Sequence, residues 1–300
     1  MKSVTKITIT DDNGIKFFGE GPLRLLRSVE RTGSLRSAAM EMEMAYSKAS
    51  RLLKQAEAAL GFPLTTRTTG GKAGGGSILT PEGIRWLRQY EAYRDACIKA
   101  NQRLYRQFFP KLGCVIMASG LGRRFGSNKL MADFYGQPMI QRALDATDGL
   151  FAKRVVVTRH EQVAALCREQ HVEVVLHDYP GRNDTVRLGL EALGDLDACM
   201  FLPGDQPLLR RETVAKLLES RKENPDSIIR PAYEDTEGSP VLFPSWAFAE
   251  LRTLPEGKGG GVVIRNHPCA VHRVSISDPF ELADADTPET LELLKGLCHD

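Results

Sequence analysis

Hydrophobic and polar positions follow two different patterns along this chain, and the change falls near residue 110. From residue 111 onward, short apolar runs suited to strands alternate with stretches whose apolar residues recur every three to four positions, as helices require. The apolar runs lie near 114–117, 154–157, 172–176, 198–202, 227–230, 240–243 and 271–275. The helical stretches lie near 138–148, 161–170, 184–193, 210–222, 245–252 and 287–297. Strands alternating with helices predict an α/β doubly wound, mostly parallel sheet.

Before residue 110 the pattern opens on a hairpin. Residues 7–18 alternate around Asn13-Gly14, a strong hairpin signal. Gly21-Pro22 then starts a helix with Leu23, Leu26 and Val29 on one face, Thr32-Gly33 breaks it, and Ser34 is placed to cap the next. A further helix turns Leu52, Leu53 and Ala56 inward and Tyr46, Ser47, Lys48, Arg51 and Lys54 outward. Two short helices, a tight turn and a basic, hydroxyl-bearing second helix make a helix-turn-helix pattern, and that helix can enter a major groove.

Phe62–Leu64 and Ser77–Leu79 then bracket a basic, glycine-rich segment containing Arg67 and Lys72, the pattern of a wing that lies along phosphates. Pro81 to Phe109 reads as one long helix with a seam of Ile84, Leu87, Tyr90, Tyr93, Cys97, Ala100 and Leu104. Pro110 marks the boundary. The predicted organisation is a winged helix-turn-helix domain over 1–110, ending in a linker or dimerisation helix at 81–108, and an α/β domain over 111–300.

Charge sharpens this division. Residues 1–110 carry 18 Lys and Arg against 10 Asp and Glu, whereas residues 111–300 carry 22 against 28. A basic head on an acidic body implies two different partners, with DNA reached through residues 20–80. No apolar run is long enough to span a bilayer, and Thr, Asp and Asn interrupt the N-terminus where a signal peptide would stay apolar. The six cysteines form no C-x-x-C pair, which fits reduced thiols in a cytoplasmic protein without a zinc site. The six histidines are equally scattered and read as structural or solvated.

The strongest chemical signal follows the first apolar run of the body. Met117-Ala118-Ser119-Gly120-Leu121-Gly122-Arg123-Arg124-Phe125-Gly126-Ser127-Asn128-Lys129 combines three glycines with two arginines and a lysine. Glycines let backbone N–H groups approach a polyphosphate, and the cations neutralise it. The spacing departs from G-x-G-x-x-G by one residue, and Lys129 follows Asn128 rather than glycine, so neither a dinucleotide fold nor a P-loop fits. Asp205 ends another apolar run, a natural place for a Mg²⁺ ligand. Together the two features point to nucleotidyl transfer.

These residues also carry two resemblances. MAYSKASR at 44–51 and RTTGGKAGGGSILTPEG at 67–83 resemble the winged helix of molybdate-responsive transcriptional regulators, whose following helix dimerises. MASGLGRRFGSNKL at 117–130, GQPMI at 136–140, GRNDTVRLGLEAL at 181–193 and LPGDQPLL at 202–209 resemble the molybdenum cofactor nucleotidyltransferases, in their cytidylyltransferase branch. EGSPVLFP at 237–244, EGKGGGVVI at 256–264 and LADADTPE at 282–289 extend that resemblance. It implies a GT-A-like fold and Mg²⁺-dependent transfer of CMP from CTP to a molybdopterin-type cofactor. Ser119 departs from the family loop, which leaves CTP and GTP both open, as does a third reading, a transcription regulator that senses nucleotide or cofactor.

The resemblance assigns roles. Ala118, Ser119, Gly120, Leu121, Gly122 and Gly126 form the nucleotide cradle, with Lys129 and Arg124 on the β- and γ-phosphates. Asp205 holds Mg²⁺ with Asp284 as second ligand, while Asp286 reads as a helix cap, and the order of Asp284 and Asp286 stays open. Gly238-Ser239-Pro240 lines the acceptor side. Tyr46, Ser47, Lys48, Arg51, Lys54, Arg67 and Lys72 form the DNA face of a homodimer.

Overall fold

The Asn13-Gly14 turn closes an antiparallel hairpin between β1 (Ile9–Thr10) and β2 (Lys16–Phe18), with Gly14 in the left-handed region at φ 77°. Asp11 fastens the turn by accepting from the Asn13 and Ile15 amides at 3.0 and 2.8 Å. The computed structural model describes residues 3–68, 76–122 and 124–297, and the chain divides into two units, Met1–Tyr105 and Arg106–Asp300.

In the first unit α1 (Glu20–Thr32), α2 (Leu35–Glu41) and α3 (Tyr46–Leu60) surround an apolar core. Leu23, Leu26 and Val29 of α1 are buried there with Ala38, Ala39, Ala49, Leu53 and Ala56. Ser34 caps α2 by accepting from the Ser37 amide at 3.3 Å. Strands β3 (Thr65–Thr68) and β4 (Gly76–Leu79) pair antiparallel as the wing.

The long helix α4 (Pro81–Phe108) starts against the segment leading into β3 so closely that a Cβ on Gly83 would stand 2.3 Å from the Leu64 carbonyl oxygen. Its Leu87 and Tyr90 complete the core, and Phe18 stands edge-on to Tyr90 at 4.8 Å. The apolar seam is buried only that far. Tyr93 and Leu104 are exposed.

The second unit is an eight-stranded mixed sheet. Its strands are β5 (Leu112–Ala118), β8 (Lys153–Thr158), β9 (Glu173–Leu176), β10 (Ala198–Pro203), β11 (Ile228–Tyr233), β12 (Thr236–Glu237), β13 (Val241–Pro244) and β14 (Val271–Ser275), while β6 (Asp133–Phe134) and β7 (Gln137–Pro138) form a small hairpin apart. The order is β12-β11-β13-β10-β5-β8-β9, with β14 beside β11. Strands β10, β5, β8 and β9 run parallel, and β13 enters antiparallel between β10 and β11.

Helices α5 (Ile140–Thr147), α6 (Glu161–Glu169), α7 (Arg182–Leu193), α8 (Arg211–Glu223), α9 (Phe248–Arg252), α10 (Gly261–Asn266) and α11 (Pro288–Leu297) complete the unit. Side chains alternate along the strands as a two-residue period demands. Cys114, Ile116 and Ala118 of β5 join one apolar core, whereas Val115 joins the other, so both faces of the sheet are covered. Among the described residues no helix is long and apolar enough to cross a membrane.

Candidate active site and helix-turn-helix face

Strands β5 and β10 lie side by side, and each delivers the chain to a loop at its carboxyl end, where open α/β sheets place their ligands. After β5 the backbone passes through Gly122 at φ 58° and Gly126 at φ 75°, conformations that glycine adopts without a Cβ penalty. The Phe125 and Gly126 amides both return to the Gly122 carbonyl, at 2.8 and 3.2 Å. A Cβ on Gly122 would stand 2.7 Å from the Ser127 carbonyl oxygen, so only glycine fits this turn without strain. A Cβ on Gly120, by contrast, would meet no atom of the described residues within 4 Å.

The loop ends at Lys129, which starts a 3-10 turn, Lys129–Met131, and is nearly fully buried. Its ammonium donates to Asp205 and to Asp286 Oδ1, the latter at 3.0 Å. Burial alone pushes the Lys129 ammonium down, but the Asp205 and Asp286 carboxylates outweigh it and hold the pKa above the usual lysine value.

Asp205 is fixed by its neighbours. A Cβ on Gly204 would stand 2.7 Å from the tip of Ile140 and 3.3 Å from the Met117 carbonyl oxygen, so this turn lies tightly between α5 and the end of β5. The Gly204 amide donates to the Met117 carbonyl at 3.0 Å, and the Ala285 amide donates to the Asp205 carbonyl at 2.9 Å. Residues 284–286 are thereby laid along Asp205.

Protein crowding pushes the Asp284 carboxyl up, the Asp205 charge pushes it further, and a Gln206 hydrogen bond opposes both. Asp286 lies below the usual carboxylate range because it accepts from Lys129, with help from the charges of Lys129, Arg124 and Arg182. Arg124 is exposed, with Nη1 3.6 Å from Asp286 Oδ2. Arg123 lies outside the described residues.

One expectation is revised here. Asp286 does not cap α11, because Thr287 does, its Oγ1 accepting from the Thr290 amide at 3.2 Å. A Cβ on Gly238 would stand 2.8 Å from Leu282, so the 238–240 segment packs closely on the Pro279–Leu282 turn.

Among the described residues no three His, Cys, Asp or Glu side chains gather as a metal-binding group. Burial, and next the charge of Asp205, raise Asp284, so the two carboxylates lie near enough to repel one another. A hard divalent cation that takes few protein ligands suits such a pair.

Sequence reasoning missed four residues at this end of the sheet. Arg182, the first residue of α7, acts on Asp286 by its charge. Gln206 is buried, and its Nε2 donates to the Leu282 carbonyl at 3.2 Å. His177 Nε2 lies 2.8 Å from Ser119 Oγ, and His160 Nε2 lies 2.8 Å from the Gly120 carbonyl oxygen. For Arg182 a signal existed, since it sits inside GRNDTVRLGLEAL. For the two histidines there was none, because only the order of the sheet brings them to the loop.

In the first unit Tyr46, Ser47, Lys48, Arg51 and Lys54 are all exposed on α3, and a shallow groove runs past Tyr46, Ser47, Arg51 and Lys54. Arg67 is exposed on β3. Lys72 lies outside the described residues.

A glycine loop and an acidic turn at adjacent strand ends, on a mostly parallel sheet preceded by a helix-turn-helix, define a nucleotidyltransferase carrying a DNA-binding type of head. Residues 114–272 match the MobA-like NTP transferase domain, more than half of the chain, and residues 22–84 match the bacterial regulatory helix-turn-helix proteins of the lysR family. The chain belongs to the MobA-like NTP transferase family.

Among curated proteins it is 33% identical over 114 residues to the bifunctional protein GlmU of Desulfitobacterium hafniense, covering 36% of this chain and 25% of that one. The chain thus spans about a quarter of the first GlmU relatives it matches. It is 30% identical over 132 residues to the 2-C-methyl-D-erythritol 4-phosphate cytidylyltransferase of Bacillus licheniformis, covering 41% of this chain and 57% of that one. A stretch of 81 residues is 38% identical to the molybdenum-pterin-binding protein MopB of Rhodobacter capsulatus, covering 27% of this chain and 30% of that one. The fold is shared with Rv0371c of Mycobacterium tuberculosis at a TM-score of 0.57 and 20% identity, over 62% of this chain and 98% of that one. That protein has also been solved with manganese.

Proposed function

We propose that this nucleotidyltransferase moves CMP from CTP to a molybdopterin-type molybdenum cofactor and releases pyrophosphate, with Mg²⁺ as its metal. The observation that carries this reading is the convergence of Lys129, Asp205 and Asp286 beneath a glycine loop at the ends of β5 and β10. The cytidylyltransferase and molybdenum-pterin-binding relatives support the choice of nucleotide and acceptor.

An acceptor phosphate is already anionic at neutral pH, so its attack on the α-phosphorus needs no general base. Positioning and neutralisation of charge do the work. In this reading the backbone from Ala118 to Gly122, with Gly126, cradles the triphosphate. Lys129 and Arg124 take up the charge of the departing pyrophosphate as the α-phosphorus bond to it breaks. Asp205 and Asp284 would hold Mg²⁺, which supplies charge neutralisation on the phosphate oxygens. The manganese-bound neighbour is consistent with a divalent metal.

The head, residues 1–110, binds DNA through Tyr46, Ser47, Lys48, Arg51, Lys54, Arg67 and Lys72, in the cytoplasm where NTP and DNA are both at hand. Its homodimer forms through 81–108, where Tyr93 and Leu104 leave the far half of the apolar seam exposed. Residues 111–300 are the transferase.

A guanylyl transfer to the same acceptor is the second reading, because Ser119 departs from the family loop and leaves CTP and GTP both open. One experiment separates the two: purified protein, Mg²⁺ and molybdopterin with each NTP in turn, read by pyrophosphate release. Faster release with CTP supports the proposal, faster release with GTP supports the second reading, and none with any NTP rejects both.

A further inference from the structure

Three successive residues of the glycine loop are each held by a side chain from a neighbouring strand end. Thr158 Oγ1 donates to the Ala118 carbonyl at 2.9 Å. His177 Nε2 lies 2.8 Å from Ser119 Oγ, and His160 Nε2 lies 2.8 Å from the Gly120 carbonyl oxygen. Thr158 ends β8, His160 follows two residues later, and His177 follows β9 directly. The sheet order β5-β8-β9 therefore brings all three to the loop after β5.

The proton positions follow from the partners. A carbonyl only accepts, so His160 must carry its proton on Nε2. Ser119 Oγ donates its own hydrogen to the Val157 carbonyl at 3.0 Å, so the bond from His177 must also come from Nε2–H. The His177 amide is itself anchored to the Thr158 carbonyl at 3.0 Å, which ties the two braces together.

A trans peptide points its N–H opposite to its C=O. Holding the Ala118 carbonyl toward Thr158 turns the Ser119 amide the other way. Holding the Gly120 carbonyl toward His160 does the same for the Leu121 amide. Both amides lie in the stretch assigned to the nucleotide, and a Cβ on Gly120 would meet no atom of the described residues within 4 Å.

We infer that Thr158, His160 and His177 are positioning residues that preset the 118–121 backbone for the nucleoside triphosphate. The inference rests on the proposed nucleotide-binding role of that loop. A preset loop spends less binding free energy on ordering itself. The brace therefore acts on nucleotide affinity, and the chemical step is left to Lys129, Arg124 and Asp205.

The test uses the full-length chain with His160→Ala, His177→Ala and the glutamine variant at each site, since a glutamine amide can still donate. His160 is only half-buried, so its variants keep the core intact. Calorimetric titration with CTP and with GTP in Mg²⁺ is expected to show roughly tenfold weaker binding for each alanine variant, the size of one hydrogen bond lost. The glutamine variants are expected to recover most of that loss. In turnover the same change appears in KM, with kcat within about twofold of the parent.

Amide hydrogen exchange of residues 118–122 without nucleotide gives a second readout, with faster exchange expected in the alanine variants. Unchanged nucleotide affinity and unchanged exchange would overturn the inference. If the parent chain binds no triphosphate, the nucleotide reading fails, and hydrogen exchange still decides whether the brace holds the loop.

Discussion

The Lys129 ammonium stands 3.0 Å from Asp286 Oδ1 while also donating to Asp205, so one nearly buried cation holds two acidic segments together. Replacing it by methionine removes the one cation that donates to both Asp205 and Asp286 and leaves only the exposed Arg124 and the charge of Arg182 near Asp286. Breaking a buried ion pair on one side costs about 3–5 kcal/mol, and the half-exposed Asp286 reduces that here to about 1–3 kcal/mol. Lys129→Met is expected to lower the denaturant midpoint by that amount and to cut pyrophosphate release by about 10²-fold or more. A midpoint unchanged from the parent would show that solvent already screens the cluster.

Asp205 carries a different share of the same cluster. Asp205→Ala is expected to lower Mg²⁺-dependent turnover on the order of 10²-fold or more, while nucleotide affinity without metal changes little. Near-parental pyrophosphate release by the purified variant would reject Asp205 as a ligand for the metal.

Gly122 links backbone conformation to function. An alanine there must adopt φ near 58° and place its Cβ 2.7 Å from the Ser127 carbonyl oxygen. The conformational strain alone is about 1–2 kcal/mol. Gly122→Ala is expected to weaken triphosphate binding by about tenfold or more, read by calorimetry. The Cβ of Gly120→Ala meets no atom of the described residues within 4 Å, so a loss of nucleotide affinity in that variant is expected to report contact with the ligand itself.

Much of this molecule was legible in its sequence because its strands are apolar runs buried on both faces. Residues 114–117, 154–157 and 198–202 all fall within observed parallel strands. The Asn13-Gly14 hairpin and the Ser34 cap were readable for a local reason: each is settled by contacts a few residues apart. Elements too short to show a period were not readable, namely β6, β7, β12 and α10. Nor was the antiparallel entry of β13, since an apolar run of four residues carries no direction. At the site, Lys129 and Asp205 stood out by motif. The place of Asp286 on Lys129 did not, because it depends on the Ala285 amide reaching the Asp205 carbonyl, 80 positions away in the chain.

His177 links pH to stability. Burial, and next the charge of Arg159, hold its pKa below the usual 6.5, with Asp184 and Asp178 opposing and Arg187 adding a smaller push in the same direction. Between the folded and unfolded values the unfolded chain binds more protons, so stability falls as pH drops below about 6.5 and is complete above it. The thermal midpoint is expected to decline between roughly pH 7 and pH 5, with part of that slope missing in His177→Gln. Equal slopes in parent and variant would place the acid sensitivity elsewhere.

The helix-turn-helix face makes a prediction about salt. Arg51 and Lys54 stand exposed on α3 beside Tyr46 and Ser47, the arrangement that lets a second helix meet a duplex. If each contacts a phosphate, removing it lowers the slope of log affinity against log salt by about one and weakens binding across sequences alike. A base contact instead relaxes specificity at one position. Arg51→Ala and Lys54→Ala, titrated on duplex DNA by fluorescence anisotropy at several salt concentrations, separate these outcomes. Absence of parent-chain binding even at low salt would assign α3 to another partner, while the transferase reading, which rests on Lys129 and Asp205, would stand unchanged.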